Sequence, residues 1–353
     1  MNDKIKQIVV PDNFTILEAL KKMDEMQRRL FLVFKGDNYI NLLSVGDLQR
    51  AIIRNSPLST PVIEILRKET KVCRTDESYE EIKSKMFKFR TECMPVLDVN
   101  NQLVDVYFWE DVFPIEEKRI DHKLGLPVII MAGGKGTRLK PLTNVLPKPL
   151  IPIGDKTIIE NIMDRFNQVG CNNFYISINY KSELIRHYFE TLEENQYNVD
   201  FFEEEKPLGT AGSLFLLKGE IKKSFFISNC DIIIEEDYGE IYKYHIEHGN
   251  ELTIVAALKH YPIPYGTIET GEGGSLKKLS EKPELTFKIN TGMYLLEPHL
   301  LEEIPENKFF HITDLIESIR KRGGKIGVFP VSEKSWKDIG EWGEYLNTLN
   351  IKY

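Results

Sequence analysis

A pattern recurs inside the first third of this chain at a shift of 63 residues, and a repeat unit that short excludes most folds. The stretch "VPDNFTILEALKKM" (10–23) matches "CRTDESYEEIKSKM" (73–86), each a turn-forming start followed by a helical pattern that ends in Met23 or Met86. Further along, "LVFKGDNYINLLSVGDLQRAI" pairs with "PVLDVNNQLVDVYFWEDVFPI" at a shift of 63 to 64. In both, an apolar strand, a polar hairpin turn (Gly36-Asp37-Asn38, Asn100-Asn101) and a second strand lead to an acidic residue opening a helix. Two β-β-α units of about 60 residues cannot bury their own faces, so they are expected to pack on each other as a pair spanning 1–120.

After a polar stretch at 121–126, the pattern changes at Pro127 to apolar strands alternating with amphipathic helices, the signature of an α/β sheet covered on both faces. Strands are expected at "PVII" (127–130), "NFYISI" (173–178), "KSFFISN" (223–229), "LTIVAAL" (252–258) and "GKIGVFPV" (324–331). A helix over "KTIIENIMDRFNQVG" should open on a Thr157/Glu160 capping box, bury Ile158, Ile159, Ile162, Met163 and Phe166, and stop at Gly170. A second is expected around "TDLIESIRKR". Residues 127–353 then form one domain.

Composition narrows the function. A net charge of −8 argues against nucleic acid: residues 1–125 carry 20 basic and 21 acidic side chains, and the remainder 26 and 33. Cys73, Cys93, Cys171 and Cys230 are widely spaced, which suggests neither zinc nor a disulfide framework. No segment approaches 18 uninterrupted apolar residues and the start lacks a signal-peptide core, so a cytoplasmic protein without a membrane span is expected.

The stretch "MAGGKGTRLKPLTNVLPKPL" (131–150) follows the strand at 127–130. In an open α/β sheet ligands sit at the carboxyl ends of strands, which is where this turn belongs. Gly133, Gly134 and Gly136 strip side chains from it, so consecutive amides can approach an anion. It lacks the Walker A pattern, and the dinucleotide fingerprint would need a glycine at Leu139. Arg138 in the turn and Lys148, held between Pro147 and Pro149, add two cations, which suits a polyphosphate better than a single phosphate.

Two resemblances follow. The first 120 residues resemble a tandem pair of CBS motifs. "SVGDLQRAI" is similar to that family's strand-end Ser/Thr-x-x-Asp, which implies that Ser44 and Asp47 contact the ribose of an adenine nucleotide; helix capping by Asp47 is the plainer alternative. In the second copy Tyr107 or Phe108 replaces the small hydroxyl residue, while Asp111 keeps the acid.

The rest resembles the sugar-phosphate nucleotidylyltransferases. After the glycine turn, "EEEKPLGTAGSL" (203–214), "SNCD" (228–231), "YG" (265–266), "EKP" (281–283), "NTGMYLL" (290–296), "FHITDLI" (310–316) and "WKDIGEWGEY" (336–345) occur in that family's order. The resemblance implies a Rossmann-like mixed sheet and Mg²⁺-dependent attack of a sugar-1-phosphate oxygen on the α-phosphorus of a nucleoside triphosphate. Arg138 would then neutralise charge as pyrophosphate leaves, Lys148 and Lys282 would grip phosphates, Lys282 that of the sugar, and Asp231 and Asp338 would hold the metal. Nucleotide contacts would come from Ala132, Gly133, Gly134, Gly136, Thr137, Leu208, Gly209 and Thr210, and sugar contacts from Gly266, Glu281, Asn290 and Thr291. A carboxylate can accept both N–H donors of guanine, and Glu204 or Glu205 is placed to supply one, so GTP is favoured.

The combination of halves is similar to the CBS-fused glucosamine-1-phosphate guanylyltransferases of legionaminic acid biosynthesis. Glucosamine-1-phosphate is therefore the expected sugar, and mannose-1-phosphate guanylyltransfer or glucose-1-phosphate thymidylyl- or uridylyltransfer are the alternatives. A sensor that only binds a sugar nucleotide is the rival of another class. A homo-oligomer is expected. His245 and His248 read as a solvated helix end, His311 as structural, and Cys230 as a small buried packing residue.

Overall fold

Thr15 and Ser78, 63 residues apart, each exchange hydrogen bonds with a glutamate three residues on: the Thr15 and Ser78 amides donate to Glu18 and Glu81 at 2.7 and 2.8 Å. The two capping boxes start equivalent helices in the two repeats. The computed structural model describes residues 3–26, 28–68, 70–89, 91–113, 123–192 and 196–349, and the chain divides into two compact units, 1–119 and 120–353.

In the first unit the order is α1 (Asp3–Gln7), β1 (Val9–Pro11), α2 (Ile16–Met26), β2 (Leu30–Lys35), β3 (Asn38–Ser44) and α3 (Val45–Ile53), then β4 (Cys73–Arg74), α4 (Tyr79–Phe89), β5 (Cys93–Leu97), β6 (Leu103–Phe108) and α5 (Trp109–Val112). Each repeat is a three-stranded sheet, β1-β2-β3 and β4-β5-β6, with its first pair parallel and its hairpin antiparallel. Met23 and Met86 are both buried. The Gln102 side-chain amide donates to Asn38 Oδ1 at 3.1 Å, joining the hairpins of the two repeats.

The second unit runs β7 (Val128–Met131), α6 (Leu142–Val145), β8 (Pro152–Ile153), β9 (Lys156–Thr157), α7 (Ile158–Gln168), β10 (Asn173–Ile178), α8 (Ser182–Glu190), β11 (Asn198–Glu203), β12 (Phe225–Asn229), β13 (Ile232–Ile234), α9 (Tyr238–Glu247), β14 (Leu252–Pro262), β15 (Thr267–Thr270), β16 (Leu276–Ser280), β17 (Glu284–Leu296), α10 (Ile312–Lys321), β18 (Ile326–Ser332), β19 (Trp336–Asp338) and α11 (Trp342–Thr348). Seven strands form a mixed sheet in the order β11-β10-β7-β12-β17-β14-β18. The first four are mutually parallel, and β17 is antiparallel to both its neighbours. Apolar clusters pack against the sheet, one led by Phe166, Phe174 and Phe226, another by Phe225, Leu252 and Leu315. Thr157 caps α7 as its sequence predicts, and Ile158, Ile159, Ile162, Met163 and Phe166 are all buried.

The polar stretch at 121–126 reads as a linker between the two halves, and its residues 121–122 lie outside the described residues. Those from 123 to 126 lie on the second unit, where the Leu124 amide donates to the Val169 carbonyl at 2.8 Å and Leu126 is buried. Beyond Leu258, β14 and β17 continue as a two-stranded arm in which Tyr261 pairs with Leu285 and Lys259 with Phe287, and the β15–β16 hairpin follows. No helix among the described residues is long and apolar enough to cross a membrane.

Candidate active site

From β7 the chain steps to β10 and β11 on one side, then returns to place β12 on β7's other side. The carboxyl ends of β7 and β12 therefore diverge at the switch in strand order, where an open α/β sheet leaves a crevice. The glycine turn leaves β7 here, and Asp231 lies two residues past the end of β12.

The three glycines of the turn are not equivalent. Gly136 has φ of 60°, and a Cβ on it would lie 2.8 Å from Thr143 Cγ2 and 3.0 Å from Lys148 Cβ, so only glycine fits. Thr143 closes the bend by donating to the Gly136 carbonyl at 2.9 Å. A Cβ on Gly133 would come within 3.3 Å of both Asn179 Cβ and Glu204 Oε1, whereas one on Gly134 would meet nothing within 4 Å. Gly134 thus presents bare backbone to open space. The Ala132 amide is already bonded to the Ser177 carbonyl at 3.0 Å, and Thr137 begins the short helical turn that carries Arg138.

The two aspartates that sequence separates by more than a hundred residues meet across a ribbon. Strand β13 pairs antiparallel with β19, Ile232 opposite Asp338, and the Ile339 amide donates to the Asp231 carbonyl at 2.8 Å. Lys148 forms an ion pair with Asp231, both side chains being about nine-tenths buried. Arg138 stands with Nη2 3.9 Å from Asp231 Oδ2 and donates from Nη1 to Glu341 Oε1 at 2.7 Å.

Gly340 lies in the middle of this group. A Cβ there would be 2.6 Å from Asp231 Oδ2, 2.7 Å from Asp338 Oδ1 and 2.9 Å from Lys148 Nζ. Burial first, and then the Asp231 carboxylate, hold the Asp338 carboxyl above its ordinary range, against the Gly340 amide that donates to it at 2.8 Å and the nearby Arg138 and Lys148. Two converging carboxylates, one of them disfavoured as an anion by the other, are a donor set that a hard divalent cation would satisfy with oxygen ligands.

Glu204, rather than the exposed Glu205, faces the glycine turn. Its carboxylate accepts from the Ser177 hydroxyl and from the Leu208 amide, each at 2.8 Å, and so fixes the loop that carries Leu208, Gly209 and Thr210. The other side of that loop is strapped to residues 308–312. The Phe310 carbonyl accepts from the Ala211 and Gly212 amides at 3.1 and 2.9 Å, and the Thr210 hydroxyl accepts from the Ile312 amide at 3.0 Å. Gly209, at φ of 86°, passes so close to the Phe310 carbonyl that a Cβ would overlap it.

The expected sugar residues fall into two groups. Asn290 and Thr291 sit at a bulge in β17 beside Gly292, whose Cα packs on the Asn229 side chain at the end of β12. The Asn290 amide donates to the Tyr294 hydroxyl at 2.8 Å, and the buried Thr291 hydroxyl donates to the Val255 carbonyl at 2.8 Å. Gly266 and Glu281 meet across the arm, where a Gly266 Cβ would be 3.1 Å from Glu281 Oε2. Lys282 follows at φ of 43°, exposed, and no hydrogen bond or ion pair among the described residues ties it to Asp231.

In the first unit Asp47 is buried and saturated. It accepts from the Ser44 amide and hydroxyl at 2.8 and 2.7 Å, from Arg67 Nε at 2.8 Å, and from Arg50. Burial raises its pKa, but the Arg67 and Ser44 hydrogen bonds outweigh that and hold the carboxyl below its usual range. Ser44 also accepts from Arg67 Nη2 at 2.7 Å, and Asp111 of the second copy lies in α5.

One histidine departs from its sequence reading. His245 is fully buried, Nδ1 2.8 Å from the Thr253 hydroxyl and Nε2 3.0 Å from Glu297, while His248 is exposed as expected. Its position on the face shared by Tyr238 and Ile241 turns it inward. All four cysteines are free and buried, and burial pushes the Cys230 thiol up to about 12, away from any nucleophilic role.

Set beside known proteins, residues 127–351 match the family model for nucleotidyl transferases. The chain belongs to the nucleotidyl transferase family. Residues 1–54 match the CBS domain model. Against mannose-1-phosphate guanylyltransferase 1 of Arabidopsis thaliana the transferase half is 31% identical over 234 residues, 64% of this chain and 64% of that one. Against the catalytic subunit beta of mannose-1-phosphate guanylyltransferase of Drosophila melanogaster it is 34% identical over 187 residues, 51% of this chain and 50% of that one. The chain therefore spans less than two thirds of the length of these relatives. HddC from Yersinia pseudotuberculosis superposes with a TM-score of 0.51 at 26% identity, over 64% of this chain and 98% of that one.

Within this transferase fold, sequence reasoning passed over Gly340 and Glu341. Both lie in the quoted "WKDIGEWGEY", and the signal was a glycine two residues past an acid.

Proposed function

We propose that the protein is a sugar-1-phosphate nucleotidylyltransferase that joins a hexose-1-phosphate to GTP, releasing pyrophosphate. One observation carries the reading: Asp231, Asp338 and Lys148 converge on Gly340 at the switch point, with Arg138 Nη2 3.9 Å from Asp231 Oδ2, beside a turn that offers bare backbone at Gly134. A sensor would need a base pocket and a sugar pocket but no such concentration of paired acids and cations.

The nucleophile, a sugar phosphate oxygen, is already an anion, so no protein base is required. Its bond to the α-phosphorus forms as the bond to the bridging oxygen breaks, and the leaving pyrophosphate carries away the electron pair. The residues here hold the two substrates in line and neutralise charge. Arg138 reaches the phosphates from the turn, Lys148 adds its charge from beside Asp231, and Lys282 is assigned to the sugar phosphate. The amides around Gly134 face the phosphate tail, and the loop 208–210, fixed by Glu204, forms one wall of the base site. Asp231 and Asp338 would hold magnesium, which would supply further charge neutralisation when bound.

GTP is proposed because the relatives above carry guanylyltransferase names and because Glu204 faces Gly133. For the sugar, the CBS-fused arrangement points to glucosamine-1-phosphate and a legionaminic acid route, whereas the relatives' names point to mannose-1-phosphate. The test is pyrophosphate release from each NTP with Mg²⁺ and a panel containing both sugar phosphates and glucose-1-phosphate. We expect release with GTP and one of the first two. No release with any pair would overturn the enzyme reading, and release with UTP or dTTP but not GTP would overturn the base.

For the first unit we propose an adenine nucleotide whose ribose meets Ser44 and Asp47, which requires Arg67 to swing aside. Calorimetry on the full chain with AMP, ADP and ATP tests it, with Arg67→Ala expected to tighten binding. Absence of heat with all three, in wild type and variant, removes the proposal.

A further inference from the structure

The turn that carries Arg138 is gripped from the far end of the chain. Two consecutive residues at the start of α11 reach it: Glu341 accepts from Arg138 at 2.7 Å, and the Trp342 indole donates to the Lys140 carbonyl at 2.7 Å. The Tyr345 hydroxyl anchors the same helix to the Pro152 carbonyl at 3.1 Å. Arg138 thus stands between two acids and is bonded to the outer one, with Asp231 3.9 Å from its other nitrogen.

Both partners are half exposed, at 55% and 60%. An ion pair so wet is weak, shifting an equilibrium by up to about fivefold. It is strong enough to choose where a long side chain rests, and weak enough to release it to a polyphosphate. Lys148, by contrast, is locked onto buried Asp231.

We propose that Glu341 is a positioning residue that holds the Arg138 guanidinium off the phosphate site between turnovers. The inference rests on the nucleotidyl-transfer reading. Phosphates of the incoming triphosphate must take Arg138 from Glu341, and Glu341 takes it back as pyrophosphate departs. The carboxylate thereby weakens ground-state binding of both nucleotide and pyrophosphate, and favours release of the product.

The experiment is a double-mutant cycle on the full chain: wild type, Glu341→Gln, Arg138→Ala and the pair, with Mg²⁺-pyrophosphate and Mg²⁺-GTP binding followed by calorimetry. Glu341→Gln should tighten both ligands about two- to fivefold when Arg138 is present, and change them less than about 1.5-fold when it is absent. In steady state its KM for GTP should fall, while inhibition by pyrophosphate strengthens by a similar factor. Equal tightening in the Arg138→Ala background would overturn the proposal, because a carboxylate acting on phosphate through space needs no arginine. Unchanged or weaker binding in Glu341→Gln would overturn it too. If folded wild-type protein bound neither ligand, the transfer reading would itself fall and carry the inference with it.

Discussion

Replacing Gly340 by alanine adds one methyl group at the point where the acids and Lys148 converge. The Gly340 backbone lies outside the left-handed region, so the change is one of space alone. At 2.6 Å from Asp231 Oδ2 and 2.7 Å from Asp338 Oδ1 the methyl would sit well inside a normal carbon–oxygen contact of about 3.3 Å. The carboxylates must retreat by about 0.6–0.7 Å, the difference between those contacts. Displacements of that order cost a positioned site about 100-fold in turnover. Overpacking of this kind destabilises by about 1–3 kcal/mol, a fall in Tm of about 2–4 °C for each kcal/mol.

The assay is Mg²⁺-dependent pyrophosphate release at saturating substrates, with a Mg²⁺ titration and a thermal melt on the same preparation. Gly343→Ala is the control, since a Cβ there meets nothing within 4 Å. It should leave turnover untouched and raise stability by up to about 1 kcal/mol through helix propensity. If Gly340→Ala kept turnover within about threefold of wild type, with an unaltered Mg²⁺ response, the acids around it would not be holding the metal.

Asp231→Asn should lower turnover by at least about 100-fold and cost about 3 kcal/mol of stability, because it strands the Lys148 ammonium in a buried setting; unchanged turnover would remove Asp231 from the machinery. Asp338→Asn should do the opposite to stability in Mg²⁺-free buffer. The ionised Asp338 is disfavoured by burial and by Asp231, so the neutral side chain should raise Tm, by about 2–4 °C per kcal/mol of repulsion relieved, while activity is lost; a lower Tm would contradict the crowding of the two acids. For His245, burial holds the folded pKa below the ordinary 6.5 although Glu297 pulls it up. The unfolded chain then binds the extra proton first, so this stability is complete above pH 6.5 and is lost as pH falls from there towards the folded value. His245→Asn should flatten that part of the denaturant-measured stability profile, and an unaltered slope would show that His245 does not carry it.

Much of this was legible locally. Thr157, Glu160 and the apolar face behind them announced α7, and β10 matches its expected strand residue for residue, because both signals lie within a dozen neighbours. The repeat read just as well, with Thr15 and Ser78 opening equivalent helices. The ribbon that joins Asp231 to Asp338 was not, since no local pattern says that residues 232–234 will pair with 336–338. That Asp231 and Asp338 belong together is an expectation only the family's motifs supply. His245 was misread because its polar neighbours on the chain outweighed its position four residues after Ile241. Glu204 and Glu205 are chemically identical in sequence, and only the fold shows which one is buried against Gly133.

The ribbon of β13 and β19 also sets when the two acids can meet. A chain emerging from the ribosome completes all seven strands of the main sheet by Ser332, yet the second acid and Gly340 come later still. Until those later residues dock, Asp231 stands at the end of a finished sheet without the second carboxylate or the Ile339 amide that meet it in the folded protein.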